Sequence, residues 1–138
     1  MKKIVIKGRK VYGGRSQGEA MVTHNAISGW GGIVPIGGKI VERGHELQGQ
    51  SFAGRVLVFP HAKGSSGWSG MFHLAAETGS APAAMLVGTI NSKSALGAVA
   101  GRIPTVTDFE EDILELIKTG DFVEVDADQG IVTITKSE

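Results

Sequence analysis

The residues best suited to chemistry lie in one stretch, residues 59–70, with the sequence FPHAKGSSGWSG. The apolar run just before it, residues 55–59, predicts a buried strand. Apolar residues at helical spacing from Trp68, with Gly79 as a stop, predict a helix after it. Ser65 and Ser66 would therefore lie in a glycine-rich turn at a helix N-terminus, which favours an anion by about 0.3–1 kcal/mol. This arrangement predicts a site for a carboxylate, a phosphate or a developing alkoxide.

The same residues also have a purely structural interpretation. Serine and glycine are ordinary helix-capping residues, and a single strand, turn and helix containing Gly-Ser-Ser is structural more often than chemical. The stretch also lacks the lysine-serine ending of a phosphate-binding P-loop. Spacing alone therefore leaves both interpretations open.

The size and composition of the chain limit what it can be. A chain of 138 residues predicts a single domain, residues 1–138, with a real hydrophobic core. Its 14 basic and 14 acidic residues cancel, so we expect neither nucleic acid nor membrane as a partner. The lack of cysteine excludes disulfides and any iron-sulfur cluster held by this chain's own thiolates. No signal peptide or membrane span is evident, so we expect a soluble cytoplasmic protein.

The elements that would position the serine turn form a mixed α/β pattern. The strand at 55–59, the helix from Trp68 and a second buried strand at 81–87 predict a right-handed crossover between parallel strands. Residues 3–12 and 18–24 predict an N-terminal hairpin, and residues 122–135 a C-terminal one.

Two further helices are predicted after the crossover. One is a short helix within residues 91–101. The other begins at Asp108, with Glu111 completing an aspartate version of the capping box and Gly120 closing the helix.

Three residues outside the turn are further candidates for function. Trp30 lies in a glycine-rich, ordered loop, residues 24–38, and is predicted to pin that loop to the core, with exposure at an interface as the alternative. His45 is predicted to be a turn histidine bonded to backbone rather than a base or metal ligand. His73 lies with Ser69 and Glu77 on one helix face, which predicts a solvated or interface stripe rather than a proton relay.

Short motifs of consistent order and spacing run through nearly the whole chain. They are Trp30-Gly31-Gly32 with Pro35 and Gly37, then His45, Leu47, Gly49 and Ser51, then Gly54, Val56 to Pro60, Lys63-Gly64-Ser65-Ser66, Ala81-Pro82-Ala83-Ala84 and Ile103-Pro104. Taken together they resemble the swivelling domain of the aconitase superfamily, and more closely the small subunit of aconitase X-type dehydratases.

The resemblance implies a fold and a partner. The fold would be a mixed α/β swivelling β/β/α domain, with a sheet or barrel-like core flanked by helices. It would close over a large catalytic subunit in a heterodimer and be inactive without it. This chain would bind no cofactor or metal, and an iron-sulfur cluster or iron would belong to the large subunit.

The resemblance also implies residue roles. In aconitase the first serine of a Gly-Ser-Ser turn is the catalytic base, which by position is Ser65. Lys63, Gly64 and Ser66 would bind substrate and stabilise the alkoxide. The reaction would be dehydration of a small hydroxy acid of the phosphomevalonate or cis-3-hydroxyproline type. Aconitase has a substrate-binding arginine where this chain has Gly67, so Lys63 is a candidate to replace it.

Two hypotheses from other classes stay open beside the hydro-lyase subunit. A mobile phosphohistidine-type phosphotransfer domain would use His73 as its carrier, although that family places its histidine directly before the helix. A binding module without chemistry is the third hypothesis.

Overall fold

The computed structural model describes residues 2–136, which form twelve strands and three helices. The strands are β1 (Lys2–Lys7), β2 (Arg9–Tyr12), β3 (Arg15–Val22), β4 (Ile27–Ser28), β5 (Ile33–Val34), β6 (Lys39–Ile40), β7 (Val56–Phe59), β8 (Ala62–Lys63), β9 (Ala84–Val87), β10 (Thr105–Thr107), β11 (Phe122–Asp126) and β12 (Ile131–Lys136). The helices are α1 (Trp68–Glu77), α2 (Ser92–Gly101) and α3 (Ile113–Leu116).

Eight of the strands form one sheet that curls back on itself. Their order is β1-β12-β11-β3-β7-β9-β10-β2. The two end strands, β1 and β2, are separated in sequence by Gly8 alone, so the ends of the sheet must lie close together. A side chain on Gly8 would meet the carbonyl of Thr107 at 2.5 Å, which explains glycine at this join. The fold is a mixed α/β half-barrel with helices, which confirms the predicted class.

The middle of the sheet is the parallel crossover expected from the sequence. β7 pairs in parallel with β9, which pairs in parallel with β10, while α1 and α2 are the connecting helices. Every residue of β7 and β9 is buried, as their continuous apolar sequences require. The predicted short helix within 91–101 and the C-terminal hairpin of β11 and β12 are also confirmed.

Side chains from the central strands alternate between two hydrophobic clusters. Val56 and Val58 point into the curl of the sheet, with apolar residues of β11, β12 and α3. Leu57 and Phe59 point to the other side, toward α1 and α2. The alternation follows from the two-residue period of a strand and fixes α1 and α2 on the outer face of the curled sheet.

The predicted N-terminal hairpin is wrong. β1 pairs with β12, β2 pairs with β10, and β3 lies between β11 and β7, so these segments are strands that do not pair with one another. In the curled sheet, β1 and β2 are the two end strands and β3 is an inner strand. Pairing with strands far along the chain therefore decides where these segments lie in the sheet, although the connections between them are short.

The helix predicted from Asp108 is also wrong in its extent. Asp108 has a left-handed backbone conformation, with φ of 58°, and its carboxylate pairs with Arg9 at 2.6 Å. A helix cannot pass through that conformation. The helix that forms is the single turn α3, which is capped by Asp112 through a hydrogen bond from the Leu114 N–H.

Candidate functional site

The candidate site is the serine loop, defined here as residues 63–67, which joins β8 to α1. β8 pairs in parallel with β4, where Ser28 lies opposite Lys63. Four of the five residues are exposed, and Gly67 is partly buried. The loop is thus held at both ends by regular structure while its side chains face outward.

Trp68 anchors the end of the loop that enters the helix. Its side chain is fully buried, stacks on Phe72 with ring centroids 4.0 Å apart, and donates its indole N–H to the Ile27 carbonyl at 2.9 Å. Gly29 and Gly97 leave the room it needs, because a Cβ on either would lie within 2.6 Å of a Trp68 atom. The first residue of α1 is therefore fixed against the core, and with it the direction in which the serine loop points.

Gly64 gives the loop its turn. Its φ of +95° lies in the left-handed region that glycine adopts without strain. A Cβ built there would also approach the Ser28 hydroxyl at 3.0 Å. Both facts require glycine immediately before Ser65.

Ser65 meets the helix N-terminus through its hydroxyl and its carbonyl. Its Oγ accepts a hydrogen bond from the Gly67 N–H at 3.2 Å, and its carbonyl accepts from the Trp68 N–H at 3.3 Å. Within the part of the chain that the structure describes, no side chain caps α1 at its N-cap residue Gly67, and the first turn has no acidic residue. The N–H groups of Ser69 and Gly70 have no partner within the helix. The local field therefore favours negative charge near Ser65 Oγ.

The predicted cation of the site, Lys63, is held by a carboxylate that the sequence did not indicate. Its Nζ lies 2.7 Å from Oε2 of Glu42, and both side chains are partly exposed. The second oxygen, Oε1, is buried without a hydrogen-bond partner among the described residues. The sequence gives no signal for this pair, because Glu42 is 21 residues away and arrives only through the packing of segment 30–42 beside the loop.

Trp30 is exposed, and the prediction that it pins its loop to the core is wrong. Its side chain is 70% accessible. The core position beside the start of α1 is already filled by Trp68, against which the neighbouring Gly29 packs. Trp30 instead lies over the outer side of the serine loop, where a Cβ on Gly67 would contact its Cβ and Cε3 at 3.6 Å.

His45 has the structural role predicted for it. The ring is buried, its Nδ1 accepts from the Leu47 N–H at 3.1 Å, and its Nε2 lies 3.1 Å from the Ala26 carbonyl. With Nδ1 as the acceptor, Nε2 is the donor, so both nitrogens are used by backbone. The ring ties segment 45–47 to the strand region that precedes β4.

His73 is placed poorly for phosphotransfer. It lies in the middle of α1, with Nδ1 3.0 Å from the Ala100 carbonyl and Nε2 3.5 Å from a Glu77 oxygen. The exposed His73–Glu77 pair agrees with the predicted solvated stripe. Neither ring nitrogen faces the serine loop's helix N-terminus, which lies about one and a half turns away along α1.

No iron site is formed by the side chains of the residues that the structure describes. The sequence has no cysteine, and residues 2–136 contain no group of three or more His, Asp or Glu side chains arranged to hold a metal. In the same residues, no helix is both long and apolar enough to cross a membrane.

Comparison with known proteins gives one consistent family. The model of the family described as "Aconitase X swivel domain" matches residues 5–134. The phosphomevalonate dehydratase small subunit of Methanocella arvoryzae is 41% identical over 130 residues, covering 94% of this chain and 98% of the relative. The protein of the same name from Archaeoglobus fulgidus is 41% identical over 126 residues, covering 91% and 95%.

Solved structures agree with the sequence relatives. The crystal structure of Thermococcus kodakaraensis aconitase X in its holo-form has a chain that matches with a TM-score of 0.91 and 38% identity, covering 96% of this chain and 99% of that one. A solution NMR structure titled UPF0107 protein matches with a TM-score of 0.88 and 38% identity, covering 96% and 100%. The chain therefore belongs to the aconitase X swivel domain family.

Proposed function

We propose that this chain is the small subunit of a hydro-lyase that dehydrates phosphomevalonate, and that it supplies Ser65 as the catalytic base. Relatives that match it over almost their whole length carry the name phosphomevalonate dehydratase small subunit. Those names favour phosphomevalonate over the cis-3-hydroxyproline type of substrate.

The hydrogen bond from the Gly67 N–H to Ser65 Oγ is the observation that carries the assignment of the base. Dehydration removes a proton from the carbon beside the carboxylate and a hydroxyl from the next carbon, so that a C=C bond and one water form. A serine can take the proton only as an alkoxide, which needs strong stabilisation at neutral pH. The Gly67 N–H and the N-terminal end of α1 both stabilise negative charge on Oγ.

The neighbours of Ser65 would hold the substrate. Gly64 brings the backbone close, Ser66 offers an exposed hydroxyl, and Lys63 offers an ammonium to a carboxylate or phosphate. Lys63 is paired with Glu42, so a substrate anion would share the ammonium with that carboxylate or displace it. The pairing with Glu42 holds the Lys63 ammonium in one position before substrate arrives.

The remaining parts of the reaction would belong to a large subunit. The serine loop is exposed and its residues offer one base and a few donors, so departure of the hydroxyl requires groups from another chain. From the resemblance to aconitase X-type enzymes, we expect an iron-sulfur cluster or iron there. We expect this chain alone to be inactive and the heterodimer to be the working enzyme.

Reconstitution tests the proposed function. This chain and the large subunit from the same organism are purified separately under anaerobic conditions and assayed alone and mixed, with phosphomevalonate and with cis-3-hydroxyproline. We expect dehydration only of phosphomevalonate and only by the mixture. Turnover by this chain alone, or turnover of cis-3-hydroxyproline only, would contradict the proposal.

A further inference from the structure

We propose that the tryptophan segment, defined here as residues 30–41, is a docking surface for the large subunit beside the serine loop, with Trp30 as its anchor. The inference rests on the proposed function, because it takes the large subunit as the occupant. The inference goes beyond the proposed function because it names residues outside the serine loop that the large subunit would contact.

Trp30 is the strongest feature of this surface. Its side chain is 70% exposed, whereas the other tryptophan of the chain, Trp68, is fully buried. Tryptophan removes a large apolar area from water when it is covered and is enriched among residues that carry most of an interface's binding energy. Contact of such a side chain with water is unfavourable, and a partner that covers Trp30 would remove that contact.

The rest of the segment is also apolar on its outer side. Ile33 and Ile40 pair across the β5–β6 hairpin and are buried, so their alternating neighbours Val34 and Val41 point outward, and both are exposed. Ile36, in the turn between the strands, is 67% exposed. Exposed apolar side chains within one short segment indicate an interaction site more strongly than single ones scattered over a surface.

The segment is held firmly enough to act as a preformed surface. Within the segment, the Val41 N–H donates to the Gly32 carbonyl at 2.9 Å, which closes the hairpin on itself. The Phe52 N–H donates to the Gly38 carbonyl at 2.9 Å, which ties the segment to the rest of the domain. Gly37 donates to the Ser80 hydroxyl at 2.8 Å, just beyond the C-terminal end of α1. A rigid surface loses less conformational entropy when a partner binds.

Proximity to Ser65 identifies the occupant as the large subunit. Trp30 lies within contact distance of where a Gly67 side chain would be, and Gly67 donates to Ser65 Oγ. A protein that brings substrate to Ser65 must therefore approach the side of the loop on which Trp30 lies. Covering the tryptophan segment at the same time would bury apolar area and fix the serine loop in the other subunit's site.

Fluorine NMR tests this surface directly, because the chain has only two tryptophans. The chain is labelled with 5-fluorotryptophan and titrated with the unlabelled large subunit, and a Trp30→Phe variant assigns the two resonances. We expect the Trp30 resonance to show an H₂O/D₂O isotope shift in the free chain and to lose it in the complex. The buried Trp68 should show little isotope shift in either state.

Affinity measurements add an energetic test. We expect Trp30→Ala to weaken binding of the large subunit by about 30-fold or more, as loss of an interface anchor does. Phe122→Ala is the matched control. Phe122 is also an exposed aromatic, but it lies in β11 and pairs with Glu19 of β3, outside both the serine loop and the tryptophan segment, so its removal should leave affinity unchanged. Both variants should keep the wild-type circular dichroism spectrum.

The outcomes separate the two proposals. A complex in which Trp30 keeps its isotope shift, or in which Trp30→Ala binds as tightly as wild type, would overturn the docking surface while leaving the proposed function intact. Loss of the isotope shift in the free chain at high concentration would assign the surface to a second copy of this chain and would also overturn it. Failure of the two subunits to associate at all would contradict both proposals.

Discussion

At the scale of single residues, the serine loop depends on a backbone conformation that only glycine adopts easily. Gly64 has φ of +95°, and a Cβ there would also approach the Ser28 hydroxyl at 3.0 Å. We expect Gly64→Ala to lower the free energy of unfolding by about 1–2 kcal/mol and to reduce kcat of the reconstituted enzyme, because the turn that directs Ser65 must shift. Urea denaturation and steady-state kinetics measure the two effects.

Gly70→Ala is the matched control for that substitution. Gly70 lies in the first turn of α1, has open space around the position of a Cβ and has no positive φ. Alanine there should raise the free energy of unfolding, by at most about 1 kcal/mol, through helix propensity. If Gly64→Ala were as well tolerated as Gly70→Ala, the turn would not have the constraint described here.

Glu46 makes a second residue-scale prediction, which concerns pH. The Thr23 hydroxyl, and then the His24 backbone N–H, donate to its carboxylate and hold the pKa of Glu46 below its ordinary value of 4.5. A lowered folded-state pKa contributes stability that is present above the unfolded-state pKa and is lost as pH falls through the folded-state value. Solvent screens this exposed group, so the effect should be modest.

The variant Glu46→Gln tests the sign of that effect. We expect its free energy of unfolding to fall less than that of the wild type between about pH 6 and about pH 3, because the titrating group is gone. Chemical denaturation across that range provides the measurement. An equal or steeper acid loss in the variant would show that Glu46 does not contribute stability in this way.

At the scale of elements, helix α1 places the site, and its position depends on the packing of Trp68. A Cβ on Gly97 of α2 would lie 2.3 Å from the Trp68 ring. We expect Gly97→Ala to destabilise the fold by about 1–3 kcal/mol through overpacking and to reduce kcat by moving the start of α1. Val99→Ala, at an exposed position of the same helix, should change neither quantity much. Thermal unfolding and kinetics of the reconstituted enzyme compare the two.

The elements that the sequence predicts well are those with local signals. The crossover of β7, α1 and β9 follows from fully apolar strands and a periodic helix, and the serine loop follows from its position between them. The hairpin assigned to the N-terminal strands fails because pairing in a curled sheet is decided by partners far along the chain. The helix assigned to Asp108 fails because Asp108 has a left-handed backbone conformation, in which its carboxylate pairs with Arg9 of the end strand β2.

The parts of the site that the sequence did not predict share the same cause. Glu42 reaches Lys63, and Trp30 reaches the serine loop, only because segment 30–42 folds back beside it. The presence of Trp68 in the core explains why Trp30 is left outside, but the sequence does not say which of two tryptophans occupies one core position. Spacing predicted a serine-containing turn at a helix N-terminus, the resemblance to aconitase singled out Ser65 within it, and tertiary packing was needed to find its surroundings.

At the scale of the whole molecule, the fold is a curled sheet with α1 and α2 packed on its outer face, and the serine loop is exposed at the start of α1. The ends of the sheet lie close together at Gly8, and an apolar cluster packs on each face of the central strands. Under the proposed function, such a body would bring Ser65 to a substrate held by the large subunit.

The most direct test of this account is the kcat of the reconstituted enzyme carrying Ser65→Ala. We expect phosphomevalonate dehydration to fall by about 10²–10⁴-fold, as loss of a general base does, while the variant folds and binds the large subunit as the wild type does. Ser92→Ala, at the exposed first residue of α2, should keep full activity. A Ser65→Ala enzyme with undiminished kcat would show that Ser65 is not the base.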